Sequence, residues 1–186
     1  MSVTDVARTR RFESVALPHL SAAYTLARWI CRNDADAADV VQEAVMRALQ
    51  YFDGYRGGDA RAWLLQIVRN SAHTWLARNR VAGQVPLHEC ELDAVDASAP
   101  HGAATAPSAD PMRAVAAQIE GEALRRAIAQ LPLEQREVLI LREFQDLSYR
   151  HIAEIIGAPI GTVMSRLSRA RDKLGVLVRS GRRPTQ

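Results

Sequence analysis

The sequence contains little cysteine, only one lysine and no long apolar run. Its two cysteines, Cys31 and Cys90, have no CxxC spacing and no companion histidine cluster, which argues against a zinc site and a disulfide framework. No stretch approaches the roughly 18 apolar residues of a membrane span, and no apolar run follows the arginines near the N-terminus. We therefore expect a soluble cytoplasmic protein with reduced thiols and no direct membrane insertion.

The residue groupings that carry catalysis are also absent from the sequence. It has no evident carboxylate pair, Ser/His/Asp set, metal cluster or phosphate-binding glycine loop. The histidines share no ligand spacing; they are His19, His73, His88, His101 and His151. We predict that the protein is not an enzyme and has no cofactor and no metal ion.

Charge is distributed unevenly along the 186 residues. Residues 81–111 hold eight alanines, four prolines, five acidic residues and no basic one, whereas the flanking segments are mildly basic. Such a composition cannot bury enough apolar area to offset chain entropy. We therefore predict a flexible acidic linker at 81–111, between an N-terminal domain at 12–80 and a C-terminal domain at 112–178.

Both predicted domains show helical periodicity, so the expected fold class is all-α. In the N-terminal domain, helices are predicted from about Phe12 to Arg32 with an interruption near Pro18, from Asp36 to Phe52, and from Ala60 to Arg80. Residues 53–59 contain three glycines and predict a loop. In the C-terminal domain, one helix is predicted from about Met112 to Gln130, and a second in which Leu133, Val138, Leu141 and Phe144 pack on the elements that follow.

The stretch 147–174 has the pattern of a helix-turn-helix. Ser148 is a good N-cap, Gly157 can adopt the left-handed conformation that ends a helix, and Pro159 suits the first turn of the next one. The second helix would expose a polar and basic side, and residues 161–186 hold seven basic residues against one acidic residue. This excess favours a polyanionic partner over an ordinary helical hairpin with a solvated face.

Four stretches together resemble bacterial sigma factors of the extracytoplasmic-function group. They are VVQEAVMRAL at 40–49, YRGGDARAWLLQIVRN at 55–70, LPLEQREVLILREFQDLSYRHIAEIIG at 131–157 and GTVMSRLSRARDKL at 161–174. The resemblance implies a sigma-2 domain followed by a sigma-4 domain. It further implies a role in transcription initiation during a stress or envelope response, and binding to core RNA polymerase, to promoter DNA and to an anti-sigma factor.

The resemblance also assigns residues in the sigma-2 domain. Asp39, Gln42 and Glu43 match the surface that meets the clamp helices of the polymerase. Tyr55, Arg56 and Asn70 match positions that the family uses near the flipped base of the melted minus-ten element. We expect Arg61 and His73, on the basic surface of the same helix as Asn70, to complete this minus-ten site.

In the sigma-4 domain the resemblance implies contacts to the polymerase flap and to the minus-thirty-five element. Its expected DNA contacts are Thr162, Ser165, Arg166, Arg169 and Arg171. The sequence departs from the family at Met164, where a basic residue is usual, and at Arg150 and His151, where acidic residues are common. These departures concern the base contacts and not the fold.

A second function remains open from the sequence. A free-standing helix-turn-helix regulator, which binds duplex DNA without polymerase, would explain residues 131–186. It would leave the N-terminal domain without a task. Tight binding of the purified protein alone to promoter duplex would favour this alternative.

Overall fold

The computed structural model describes residues 3–81 and 111–181, and side chains within 5–79 and 120–180. These residues form helices and the turns between them, with no strand in the described ranges, which confirms the all-α prediction. The predicted linker at 81–111 lies almost entirely outside the described residues, so its flexibility remains a prediction.

Four α-helices form the N-terminal lobe. They are α1 (Val3–Ala16), α2 (Leu20–Cys31), α3 (Asp34–Gln50) and α4 (Ala60–Val81), with 3-10 turns at Leu17–His19 and Phe52–Gly54. Pro18 lies in the first of these turns, as the sequence predicted, because its ring cannot continue the helix. Arg32 ends α2 with a φ of 65°, and the Asn33 side chain accepts hydrogen bonds from the first amides of α3.

Four further α-helices form the C-terminal lobe. They are α5 (Pro111–Ala129), α6 (Leu133–Leu139), α7 (Tyr149–Ile156) and α8 (Ile160–Gly181), and α6 continues as a π-helical turn at Ile140–Phe144. Ser148 caps α7 by accepting from the His151 amide at 3.1 Å, and Gly157 ends it with a φ of 64°. Pro159 precedes α8 rather than lying in its first turn, and its carbonyl accepts from Thr162 and Val163.

The core is mostly aliphatic, although Phe12 and Phe52 are also buried in it. Leu26, Ile30, Leu64 and Leu65 are among its fully buried members in the N-terminal lobe, and Ile128, Ile140, Leu141, Ile152 and Leu167 in the C-terminal lobe. Trp63 and Trp75 pack against this core. Cys31, the last residue of α2, is buried, and this burial raises the pKa of its thiol to about 12.

Phe144 corrects the prediction for the helix before the helix-turn-helix. It was expected to pack on that motif, but its side chain is 40% exposed and its ring lies 6.0 Å from the ring of Trp29, between centroids. The π-helical turn that holds Phe144 changes the angular spacing of the side chains, so a regular period of 3.6 residues misplaces it.

The two lobes pack against each other. Helix α2 contacts α6 and the π-helical turn, and α4 contacts α7. The sequence left their relative placement open, and this packing determines which of the predicted site residues face solvent.

Candidate nucleic-acid interface

The outer side of α3 carries the three residues predicted to bind polymerase. Asp39 and Gln42 are exposed, and Glu43 is partly exposed while it pairs with Arg47 one turn later. Asp36 lies close by, and the pKa of its carboxyl is raised by burial and, secondarily, by the charge of Asp39. The outer side of α3 is therefore acidic, and it exposes little apolar area near the N-terminal end of the helix.

Two large side chains extend this surface and were missed in the sequence. Met46, in the last two turns of α3, is 54% exposed. Tyr51, directly after the end of α3, is 70% exposed. Met46 follows Gln42 by one helical turn, and this spacing could have indicated a shared face. We refer to Asp39, Gln42, Glu43 and Met46 as the α3 face.

Tyr55 folds back on the helix bundle in this structure. Its ring centroid lies 4.9 Å from that of Trp63 and 5.9 Å from that of Phe52, and its hydroxyl donates to the Gly58 carbonyl at 3.0 Å. Gly57 and Gly58 have φ values of 93° and 98°, which side-chain-bearing residues rarely adopt. Tyr55 would have to leave these contacts to stack on a base.

The other predicted minus-ten residues divide into two groups. Arg56 and Asn70 are exposed. Arg61 and His73 instead face the C-terminal lobe, where Arg61 donates to the Gln145 side chain and His73 contacts the Glu137 carboxylate. Both side chains are therefore engaged with the C-terminal lobe in this arrangement.

Glu137 forms an ion pair across the contact between the lobes. Its side chain is fully buried on α6, and its Oε2 accepts from Arg69 Nε and Nη2 on α4, both at 3.3 Å. His73 approaches the other carboxylate oxygen. We call Arg69, His73 and Glu137 the interlobe ion cluster; a buried carboxylate is tolerated here because the Arg69 guanidinium and the His73 ring both contact it.

Two further polar contacts join α7 to the N-terminal lobe. His151 Nδ1 lies 3.1 Å from Asp59 Oδ2, and Gln66 Nε2 donates to the Glu154 carbonyl at 3.1 Å. His151 was noted in the sequence as a departure within the DNA-reading motif. In this structure it serves the contact between the lobes.

Helix α8 presents only part of its predicted reading set to solvent. Ser165 and Arg169 are exposed, whereas Thr162 and Arg166 are partly buried. Arg166 Nη2 lies 2.6 Å from Glu134 Oε2, and Arg171 Nη2 lies 2.6 Å from Glu143 Oε1. The hydrogen bond to Glu143 raises the pKa of Arg171 above its usual value.

The exposed row along the first half of α8 is therefore different from the predicted one. It contains Ile160, Met164, Ser165, Ser168 and Arg169. Ser168 and the two apolar residues were not predicted as contacts, although their spacing of four residues places them on one side of the helix. We call these five residues the α8 face.

Comparison with known families identifies both lobes. The family model for sigma-70 region 2 matches residues 16–81, and the model for sigma-70 region 4 matches residues 121–174. The ECF RNA polymerase sigma-E factor of Escherichia coli K12 is 35% identical over 141 residues, which cover 75% of this chain and 72% of that protein. This chain belongs to the extracytoplasmic-function group of sigma-70 factors. As a sigma factor it binds core RNA polymerase and directs promoter recognition at the initiation of transcription.

Other relatives of this sigma factor agree with that membership. The ECF RNA polymerase sigma factor EcfG of Rhodopseudomonas palustris is 35% identical over 147 residues, 78% of this chain and 73% of that protein. Among solved structures, the sigma factor RpoE of Bartonella quintana, crystallised with the anti-sigma factor NepR, superposes with a TM-score of 0.67. It is 26% identical, with 91% of this chain and 98% of that chain covered.

A second solved structure supports the fold alone. CnrH in complex with the cytosolic domain of CnrY gives a TM-score of 0.60 at 23% identity, covering 92% of this chain and 90% of that chain. In the described parts of this sigma factor, no helix is both long and apolar enough to cross a membrane. No group of three or more histidine, cysteine or acidic side chains in those parts could hold a metal ion.

Proposed function

We propose that this sigma factor divides its task among three surfaces. The α3 face docks on the clamp helices of core polymerase, the loop at 53–59 with Asn70 holds the melted minus-ten strand, and the α8 face reads the minus-thirty-five duplex. The observation that carries this proposal is the exposed row of Ser165, Ser168 and Arg169 on the second helix of a helix-turn-helix. That helix is the one that enters the major groove in such motifs.

The domain division forms part of the same proposal. We assign residues 12–80 to the sigma-2 domain, 81–111 to a linker and 112–178 to the sigma-4 domain. The family matches at 16–81 and 121–174 support this division but do not fix the exact boundaries. We also assign the contact with the polymerase flap to the sigma-4 domain. The protein acts in the cytoplasm in a stress or envelope response, and it has no catalytic activity of its own.

An anti-sigma factor is the proposed regulator. The support is the likeness to RpoE, whose structure was solved in complex with NepR. The contacts between the lobes add a physical reason for regulation by lobe placement, because Arg61 and His73 are bonded to the C-terminal lobe while the lobes are together. Use of these two residues at the minus-ten element would compete with their contacts to the C-terminal lobe.

The free-standing regulator is the less favourable function. It assigns no role to the N-terminal lobe, which matches the sigma-70 region 2 model over residues 16–81. The acidic character of the α3 face also argues against DNA as its partner, since phosphates would repel it.

The α8 assignment predicts different roles for two arginines. Arg169 is exposed, and within the described residues it has no hydrogen bond or ion pair, whereas Arg166 is held by Glu134. A bidentate arginine–guanine contact contributes about 1–3 kcal/mol of discrimination. We therefore expect Arg169→Ala to reduce transcription from the preferred minus-thirty-five sequence by about 5- to 150-fold. The reduction should be smaller on a promoter in which the base pair contacted by Arg169 has been replaced.

Arg166→Ala is the matched comparison on the same helix. It should change promoter preference little, because its guanidinium already has a carboxylate partner. Run-off transcription with core polymerase across single-base minus-thirty-five variants measures both proteins. Equal losses on every sequence for Arg169→Ala would show a phosphate contact and contradict the assigned base contact.

A further inference from the structure

Two apolar side chains lie exposed where the α8 face begins. Ile160 is 47% exposed and Met164 is 53% exposed, and they are one helical turn apart on the first two turns of α8. Exposed apolar residues elsewhere on a helix need no explanation when they occur singly. Here they are adjacent and lie within the surface assigned to DNA reading.

The surroundings of this pair favour duplex DNA over an apolar protein partner. Ser165, Ser168 and Arg169 lie on the same exposed side, and the sequence from residue 160 to residue 171 contains no acidic side chain. Gly161, which is also exposed, adds no side chain, and a Cβ placed there would meet nothing within 4 Å. The backbone of the first turn can therefore approach a partner closely.

The chemistry of the major groove offers one apolar group to such a pair. Neither side chain can donate a hydrogen bond to a base edge or neutralise a phosphate. The C5 methyl of thymine is the apolar feature that distinguishes base pairs in the major groove, and apolar side chains recognise it. An unbranched methionine can also adapt its shape to such a group.

We propose that Met164, supported by Ile160, reads the 5-methyl group of a thymine in the minus-thirty-five element. The proposal rests on the proposed function of the α8 face and adds a specificity determinant to it. Met164 thus makes an apolar contact where a basic residue would make a charged one. At the base pair that Met164 faces, this sigma factor prefers a thymine, whereas a basic residue there would contact phosphate or guanine.

The test removes only the methyl group. Holoenzyme made from core polymerase and this chain first selects its minus-thirty-five sequence from a randomised duplex library. Each thymine of the selected element is then replaced in turn by deoxyuridine, and run-off transcription is measured. One replacement should lower transcription by the wild-type protein about fourfold, the effect of burying one methyl-sized group.

Met164→Ala supplies the matching protein change. It should lower transcription from the thymine promoter by a similar factor and show no further loss on the deoxyuridine promoter, because the methyl contact is already gone. Val176→Ala is the control, since Val176 is an exposed apolar residue near the other end of the same helix. It should retain the full deoxyuridine effect.

Three results would overturn the proposal. They are a deoxyuridine effect of unchanged size in Met164→Ala, no deoxyuridine effect at any thymine with the wild-type protein, and an equal loss of transcription by Met164→Ala on all minus-thirty-five sequences. The last would assign Met164 to a protein contact. An absence of any core-dependent transcription by the wild-type chain is a separate outcome that would remove the proposed function itself.

Discussion

Replacing Glu137 by lysine is expected to separate the two lobes while each remains folded. The buried Glu137 carboxylate accepts two hydrogen bonds from Arg69 of the other lobe. Lysine would place a positive charge against Arg69 and beside His73, in a site that excludes water. Breaking a buried ion pair costs about 3–5 kcal/mol, so the equilibrium between packed and separated lobes should shift by about two to four orders of magnitude.

Small-angle X-ray scattering measures the result directly. The radius of gyration should rise for Glu137→Lys, and the far-ultraviolet circular dichroism should stay unchanged because each lobe keeps its own helices. Arg69→Glu combined with Glu137→Lys swaps the charges and should restore the compact form. Arg78→Ala, at an exposed arginine on the same helix, is a control that should leave the radius unchanged. A compact Glu137→Lys protein would show that the interlobe ion cluster does not hold the lobes together.

The double variant Gln42→Ala, Glu43→Arg is expected to lose much of its affinity for core polymerase. The acidic side chains of α3 point to a partner surface of opposite charge, and the change removes a polar contact and reverses a charge within the α3 face. Truncation of central interface residues typically costs about 2–4 kcal/mol, which corresponds to a loss of about 30- to 1,000-fold.

Glu43 also pairs with Arg47, so the effect on polymerase must be separated from the loss of that pair. Arg47→Ala breaks the pair without reversing the charge, and an exposed pair of this kind contributes only a few tenths of a kcal/mol. The affinity of each protein for core polymerase can be measured by fluorescence anisotropy, with the thermal unfolding midpoint as a check on folding. Unchanged affinity of a folded double variant would remove the α3 face from the polymerase contact.

Local features of the fold could be predicted from the sequence because each depends on neighbouring residues. Ser148 and Gly157 delimit α7, and Pro18 interrupts the first predicted helix, as expected. The beginning of α1 at Val3, ahead of the predicted Phe12, was missed because its first turns are mostly polar and show little apolar periodicity. Tertiary contacts can stabilise such a helix: Arg8, for example, donates to the Leu49 carbonyl at 2.7 Å.

The packing of the lobes could not be predicted from the sequence. Arg69 and Glu137 are 68 residues apart, and each looks like an ordinary charged residue on the polar side of its own helix. The ion pair between these two residues forms only where one lobe packs against the other. The same limit affected Arg61 and His73, whose basic surface was expected to face DNA and instead faces the C-terminal lobe.

The α8 face was also only partly predictable from the sequence. Ser165 and Arg169 were predicted correctly to be exposed on α8, because the apolar residues Val163 and Leu167 fix which side is buried. Arg166 lies at the margin of that side, where a glutamate from α6 can reach it, and periodicity does not reveal such a neighbour. The sequence indicated Met164 only as a departure from the basic residue usual in the family, although its exposure makes it a candidate for an apolar contact.

The most direct test of the three-surface account is transcription from a defined promoter duplex by core polymerase supplied with this protein. Permanganate reactivity of the thymines near minus ten reports melting, and run-off products report initiation. The account predicts discrete melting and a discrete transcript only when both proteins are present, with both lost in the Gln42→Ala, Glu43→Arg variant. Tight binding of this chain alone to the duplex, with no core-dependent melting or transcript, would contradict it.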